Sequence, residues 1–202
     1  MCRLGRLTVL TLALAGLALL AGACGGGSGA GDDSPSGSRT YTNDQYGLTM
    51  TYDEQFTESE TKASSPTDEG TVLEVVFPDK NGPTVGGKWA DTLRISVYKL
   101  SNPVEPAKMP KLKKALSDAV KKLVVTESGG KIERPLEDVT VNGIDGFSVD
   151  YSFTKDGVAL KGVDYFLYKG QYQYTLEGMA ASQDWEALKG KFEAAFQTFT
   201  VK

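Results

Sequence analysis

"FSVDYSFTKDGVALKGVDYFLYKGQYQYTLEG", residues 147–178, contains three alternating apolar runs separated by two short turn signals. Phe147, Val149, Tyr151 and Phe153 alternate with Ser148, Asp150 and Ser152. After Lys155-Asp156-Gly157 the next run offers Val163, Tyr165 and Leu167, and after Lys169-Gly170 come Tyr172, Tyr174 and Leu176. A period of two marks half-buried strands, and connections this short join only antiparallel neighbours. The stretch reads as a meander. A two-residue Lys-Gly turn pairs Leu167 with Tyr172 and Tyr165 with Tyr174, which keeps one face apolar. A two-residue Asp-Gly turn would place Val149 on the face opposite Val163. The expected solution is a three-residue Lys-Asp-Gly loop with Gly157 left-handed and a bulge; a bulge at Gly162 would serve the same end.

The flanking segments complete the plan. Leu48, Met50 and Tyr52 alternate with Thr49 and Thr51 after a turn at Asn43-Asp44, and Thr71 to Phe77 reads as a second strand stopped by Pro78. Leu93, Ile95 and Val97 mark a third. The period then changes: Met109, Leu112, Leu116, Ala119, Val120 and Leu123 recur at helical spacing until Gly129-Gly130. A second helix near the carboxyl end carries Trp185, Leu188, Phe192, Ala195, Phe196 and Phe199 on one stripe, with Ser182 or Asp184 as its N-cap. Strands, helix, meander and helix predict an α+β domain, an antiparallel sheet of about six strands flanked by helices.

"YTNDQYGLTMTY" (41–52) resembles the opening of PsbP-like and Mog1-like domains, a Tyr-Gly turn into an apolar strand. "DWEALKGKFEAAFQTFTV" (184–201) resembles that family's final helix with its closing Phe. The resemblance covers residues 40 to 202; "YDEQF" (52–56) departs from it where Tyr-Pro and Trp are usual. It implies an α/β/α sandwich and no shared activity, since members serve as assembly factors and binding proteins.

The amino terminus is of another kind. Arg3 and Arg6 precede an uncharged run from Leu7 to Ala23, near enough to the roughly 20 residues of a spanning helix that length alone leaves an anchor possible. Leu20-Ala21-Gly22-Ala23-Cys24 ends it with small residues before a cysteine, as a signal cleavage site does. The pattern resembles the lipobox of bacterial lipoproteins, of an actinobacterial style, with Ala21 where Leu is usual. That resemblance implies cleavage between Ala23 and Cys24, with Cys24 diacylated and anchored in the membrane. Two acyl chains hold stably, at about 0.8 kcal/mol per buried CH₂. Residues 1–23 are thus expected to be a signal peptide and residues 24–40 the lipidated cysteine with a Gly/Ser-rich linker. As a flexible coil, Gly25 to Thr40 would span roughly 20–24 Å. A single domain fills 41–202. The expected location is the outer face of the cell membrane.

Composition narrows the chemistry. Without Arg3 and Arg6 the chain carries 20 basic against 26 acidic residues, a poor balance for nucleic acid. There is no histidine, and Cys2 and Cys24 are the only cysteines. This removes Ser-His-Asp and Cys-His triads and the His and Cys ligands that zinc prefers. No catalytic residue, cofactor or metal is assigned.

Weaker signals each have a plainer reading beside them. "GPTVGGKW" (82–89) approaches a phosphate-binding loop but has Trp89 where Ser or Thr is needed, and a strand follows; a glycine-rich hairpin or mobile loop is expected. Ser128 and Lys131 match a Ser-x-x-Lys spacing at a helix end, and Ser117 and Lys121 stand one turn apart. Lys108, Lys111, Lys113, Lys114, Lys121 and Lys122 crowd one helix, which suits either solvent or anionic lipid. The expected register places Asp150, Asp164 and Glu177 on one polar face, as calcium ligands, as an acid and base, or as paired surface groups. Phe166 and Tyr168 face away from the core and mark a binding patch if no helix covers them. The function expected is a lipid-anchored binding or assembly module without catalysis. A carrier of an apolar or lipid ligand, and a carboxylate or Ser-Lys hydrolase, are the alternatives.

Overall fold

Hairpins account for most of the architecture, because the alternating runs are joined by turns too short for anything else. The computed structural model describes residues 37–63 and 70–202; the expected signal peptide, Cys24 and the linker up to residue 36 lie outside them. The described chain enters through β1 (Ser38–Asn43) and β2 (Leu48–Asp53). β3 (Glu60–Ala63), β4 (Gly70–Pro78) and a small ribbon of β5 (Thr84–Val85) and β6 (Lys88–Trp89) follow. β7 (Thr92–Lys99) leads to α1 (Met109–Lys121), whose end widens into a π-helix over Lys122–Glu127. The meander comprises β8 (Lys131–Val141), β9 (Ile144–Lys155), β10 (Val158–Lys169) and β11 (Tyr172–Ala181). α2 (Trp185–Thr198) and β12 (Thr200–Val201) close the chain.

Seven antiparallel strands form the main sheet in the order β3-β4-β7-β11-β10-β9-β8, and β1, β2 and β12 form a second, smaller one. This is the expected α+β class. Leu73, Ile95, Val97, Val163, Tyr165, Leu167, Tyr174 and Leu176 line one face of the main sheet. They are covered by Leu48 and Met50 of β2 and by Trp185, Leu188, Phe192 and Phe196 of α2. Gly178 has no side chain at the point where the Phe192 ring meets β11; a Cβ there would lie 2.5 Å from it. On the other face Phe147, Val149, Tyr151, Phe166 and Tyr168 pack under Leu116 and Val120 of α1. Both faces of the meander are therefore core.

The β9–β10 register differs from the expected one. The turn is two residues long, Asp156 and Gly157, both at positive φ (50° and 80°), and Lys155 pairs with Val158. Asp150 opposes Val163, so Val149 does lie on the face opposite Val163. The bulge becomes unnecessary because α1 gives the second face an apolar partner of its own. At the next turn Gly170 takes positive φ and Leu167 pairs with Tyr174, two residues from the expected partner; the faces are unchanged because the shift is even.

Other elements went unread in the sequence. β8 is an edge strand whose Pro135 argues against a central strand, with two register shifts against β9. Its turn is Asn142-Gly143, with φ 47° and 78°, a favoured two-residue hairpin signal. The Asn142 amide also donates to the carbonyls of Gln197 and Phe199, tying this turn to the end of α2. β1 begins inside the expected linker: Ser38, Arg39 and Thr40 pair with Asp53, Tyr52 and Thr51. Asp184 occupies the N-cap position of α2 but makes no side-chain capping bond.

Phe166 tests the two-sided core. Phe166→Ala should lower unfolding free energy by about 3–5 kcal/mol in a urea titration followed by circular dichroism. A loss within about 0.5 kcal/mol, the range of surface changes, would place the ring outside the core.

Candidate functional site

The acidic trio is divided by the register. Asp150 lies on the α2 side, where it accepts hydrogen bonds from Arg134 (Nη2, 2.7 Å) of β8 and Lys189 (Nζ, 2.8 Å) of α2. Asp164 and Glu177 are cross-strand partners on the opposite face, and Arg94 of β7 is the next residue in that row. Asp164 is 6% exposed and accepts a hydrogen bond from the Tyr151 hydroxyl at 3.1 Å. Burial first, and then the Glu177 charge, raise its carboxyl well above the usual range, against the pull of Tyr151 and Arg94. Arg94 reaches Glu177 at 3.7 Å, while its buried Nε has no hydrogen-bond partner. Asp164 lies next to the Arg94–Glu177 ion pair and beneath the Tyr151 ring that packs on Gly162, where burial favours its protonated form.

The aromatic candidates are covered. Phe166 is fully buried and Tyr168 is 7% exposed, its hydroxyl donating to Gln173. The condition for an open patch at these two residues is not met, since α1 lies over them.

Ser128 closes α1, its hydroxyl donating to the Leu123 carbonyl, and Lys131 pairs with Glu133 at 2.7 Å. Ser117 and Lys121 share no hydrogen bond; both line a groove of about 360 Å³ with Val120, Val125, Ile132 and Leu136. Lys108, Lys113, Lys114 and Lys122 pair with Glu105, Asp138, Asp118 and Glu127, which neutralises much of the lysine-rich helix. The glycine-rich segment is a hairpin: Gly86 and Gly87, at positive φ, turn β5 into β6. Among the described residues no three acidic side chains converge as a metal site would require.

The groups that do converge on an opening come from four separated segments. A cleft of about 450 Å³ is lined by Gln55, Asp79, Asn81, Gly82, Asp91 and Asp184, with Lys191 among its other walls. Asp91 is 2% exposed and accepts the Ala181 N–H at 2.8 Å through Oδ1. Its carboxyl is pushed up to about 6: burial is the main cause, the Ala181 N–H opposes it, and Asp184 and Asp79 add to it. Asp79 accepts the Asn81 N–H at 2.8 Å and a bond from the Gln55 amide. Lys191 is held by Asp53 at 3.0 Å and by the Gln55 carbonyl. No motif joins these residues in the sequence; the only hint is a pair of aspartates, Asp79 and Asp91, at the ends of two apolar strands.

Asp91 makes a signed prediction. A carboxyl with pKa about 6 in the folded chain and about 3.9 unfolded binds its proton more tightly when folded. Its contribution favours folding below about pH 4 and is lost as pH rises through about 6. Asp91→Asn keeps the acceptor for Ala181 and removes the ionisation. It should match the parent near pH 3.5 and exceed it by about 1–3 kcal/mol at pH 8, in paired denaturant titrations. Equal stability at both pH values would contradict it.

No family model and no curated protein matches the chain in sequence. Solved structures do match in fold. Cyanobacterial PsbP (CyanoP) from Synechocystis sp. PCC 6803 aligns over 90% of this chain and 98% of its own, at 14% identity and TM-score 0.55. LpqN, involved in cell envelope biogenesis of Mycobacterium tuberculosis, aligns over 84% and 87%, at 15% identity and TM-score 0.54. A Pseudomonas aeruginosa protein of unknown function aligns over 73% and 97%, at 15% identity and TM-score 0.51. The domain has a PsbP-like fold.

Proposed function

We propose that the chain is a lipid-anchored binding or assembly module at the outer face of the cell membrane, without catalysis. The observation that carries this reading is the division of Asp150 from Asp164 and Glu177 across the main sheet. Asp150, Asp164 and Glu177 are each engaged by an internal partner, and Ser117 and Lys121, which line one groove, share no hydrogen bond. Binding requires only a shaped surface, and a shared fold carries no active site with it; the fold neighbour LpqN is involved in cell envelope biogenesis. The anchor rests on Leu20-Ala21-Gly22-Ala23-Cys24 and on β1, which starts fourteen residues after Cys24, at Ser38.

A second reading, a carrier of an apolar ligand, is favoured by the groove between the π-helical end of α1 and β8. Val120, Ile132 and Leu136 line it, and Val125 there is 40% exposed, one of two large exposed apolar side chains among the described residues. Against it, the main core is filled with rings from Phe56, Phe77, Phe192, Phe196 and Phe199.

Metabolic labelling with an alkynyl fatty acid tests the anchor. The parent should take up label and fractionate with membranes, and Cys24→Ser should lose both; label retained in Cys24→Ser would overturn it. Crosslinking and pull-down of the acylated protein separates the two readings: one specific protein partner supports the first, and co-purified lipid without a partner supports the second.

A further inference from the structure

Two large apolar side chains are exposed among the described residues, Trp89 (38%) and Val125 (40%), and both lie at one end of the main sheet. Trp89 belongs to the β5–β6 ribbon, whose flank, Val85 and Ala90, packs on Leu160 and Ala181. Val125 lies on the π-helical end of α1, where the Gly130 N–H returns to the Val124 carbonyl beside Phe153. Leu160 and Phe153 are cross-strand partners next to the β9–β10 turn, and Phe153 packs into both clusters. The ribbon and the helix end therefore flank that turn on the same face of the sheet. The opposite end, at the β8–β9 and β10–β11 turns, exposes no large apolar side chain among the described residues.

The described chain enters at the ribbon end. Ser38 pairs with Asp53, and the Gly37 carbonyl accepts the Glu54 N–H at 3.0 Å. From there Phe56 bridges to Asp79, the Asp79 N–H donates to the Asp91 carbonyl, and the Asp91 carboxylate accepts the Ala181 N–H under the ribbon. β1 starts fourteen residues after Cys24. A Gly/Ser-rich segment of that length has a coil span of roughly 19–22 Å. A twelve-residue strand such as β10 is about 40 Å long. With Cys24 in the bilayer, the ribbon end is the one the tether holds near lipid, and the far end of the sheet lies beyond that span.

We propose that the ribbon end of the domain seats on the lipid surface, with Trp89 and Val125 in the interfacial layer. The inference rests on the lipid anchor proposed above. A tryptophan ring suits the headgroup level, where one part of it is apolar and the other wet. Lys88 beside Trp89 and Lys121 one turn before Val125 are exposed, and such stems lie along apolar surface with the ammonium at the phosphates. Lys122 is paired with Glu127, and Lys155 adjoins Asp156 at the intervening turn, which leaves apolar burial rather than lipid charge as the main driving term. A protein partner could cover the same two side chains, but the tether brings lipid to them.

The test reconstitutes the full acylated chain in phosphatidylcholine vesicles whose acyl chains are brominated near the headgroup, a short-range quencher of tryptophan. The chain has two tryptophans and Trp185 is buried, so the difference between the parent and Trp89→Phe isolates Trp89. Its emission should be quenched in brominated vesicles and unchanged in unbrominated ones. Val125→Asp, at an exposed position that folding tolerates, should reduce the quenching several-fold by placing a charge at the interface. Gln171→Trp in the Trp89→Phe background moves the reporter to the exposed far turn and should stay unquenched. Circular dichroism matching the parent's shows that each variant is folded. Co-flotation of the parent with the vesicles reads the anchor separately: its failure overturns the anchor and this proposal together. Three results with co-flotation intact overturn the proposal alone: Trp89 unquenched, Gln171→Trp quenched as strongly as Trp89, or Val125→Asp quenched as the parent is.

Discussion

The register between β9 and β10 determines what the rest of the molecule can be. In a sheet, side chains alternate strictly, so a one-residue slip moves a whole strand's apolar set to the other face. Asp156 and Gly157 both take positive φ, which makes the turn two residues long and fixes the pairing of Leu160 with Phe153 and Phe166 with Phe147. From this follow two apolar faces rather than one. Val163, Tyr165 and Leu167 meet α2 and the small sheet, while Phe147, Val149 and Phe166 require a cover of their own, and α1 is that cover.

The same register sorts the polar groups. Asp150 is placed where Arg134 and Lys189 clasp it between the sheet edge and α2. Asp164 is placed beneath Tyr151 beside Glu177 and Arg94, where its carboxyl is easier to keep protonated than to ionise. A buried carboxyl is stabilised by pairing or by shifting toward its neutral form; Asp150 is paired, and burial shifts Asp164 toward neutral. The cleft at the start of α2 departs from that economy. Asp91 has one hydrogen-bond partner, the Ala181 N–H, and Gly82 packs against its carboxylate at the edge of the cleft.

Much of the fold was legible because it rests on local pattern. Leu48, Met50 and Tyr52 on β2, the stripe from Met109 to Val120, and Trp185 to Phe196 on α2 bury the faces that their spacing implies. β8 was obscured by Pro135 and by the polar residues of an exposed edge, although Asn142-Gly143 announced its turn. The expected three-residue loop at 155–157 rested on a premise that only one face of the meander could be apolar. Phe166 and Tyr168 were candidates for a surface for the same reason, since nothing near them in sequence predicts that α1 folds back over their strand.

By itself the sequence determined the class of the domain, both helices and the apolar strands, and the absence of histidine and of cysteine beyond Cys24. These follow from composition and from periods of two and 3.6, which act over a few residues. Tertiary structure alone decided which face each side chain occupies and which carboxylates meet. Those outcomes depend on a turn one residue shorter than expected and on packing between segments far apart in the chain. Asp79, Asp91 and Asp184 line one cleft because β4 ends there and β7 and α2 begin there. Chemistry assembled from such distances leaves no motif, because contacts between chain ends impose no spacing on the residues that make them.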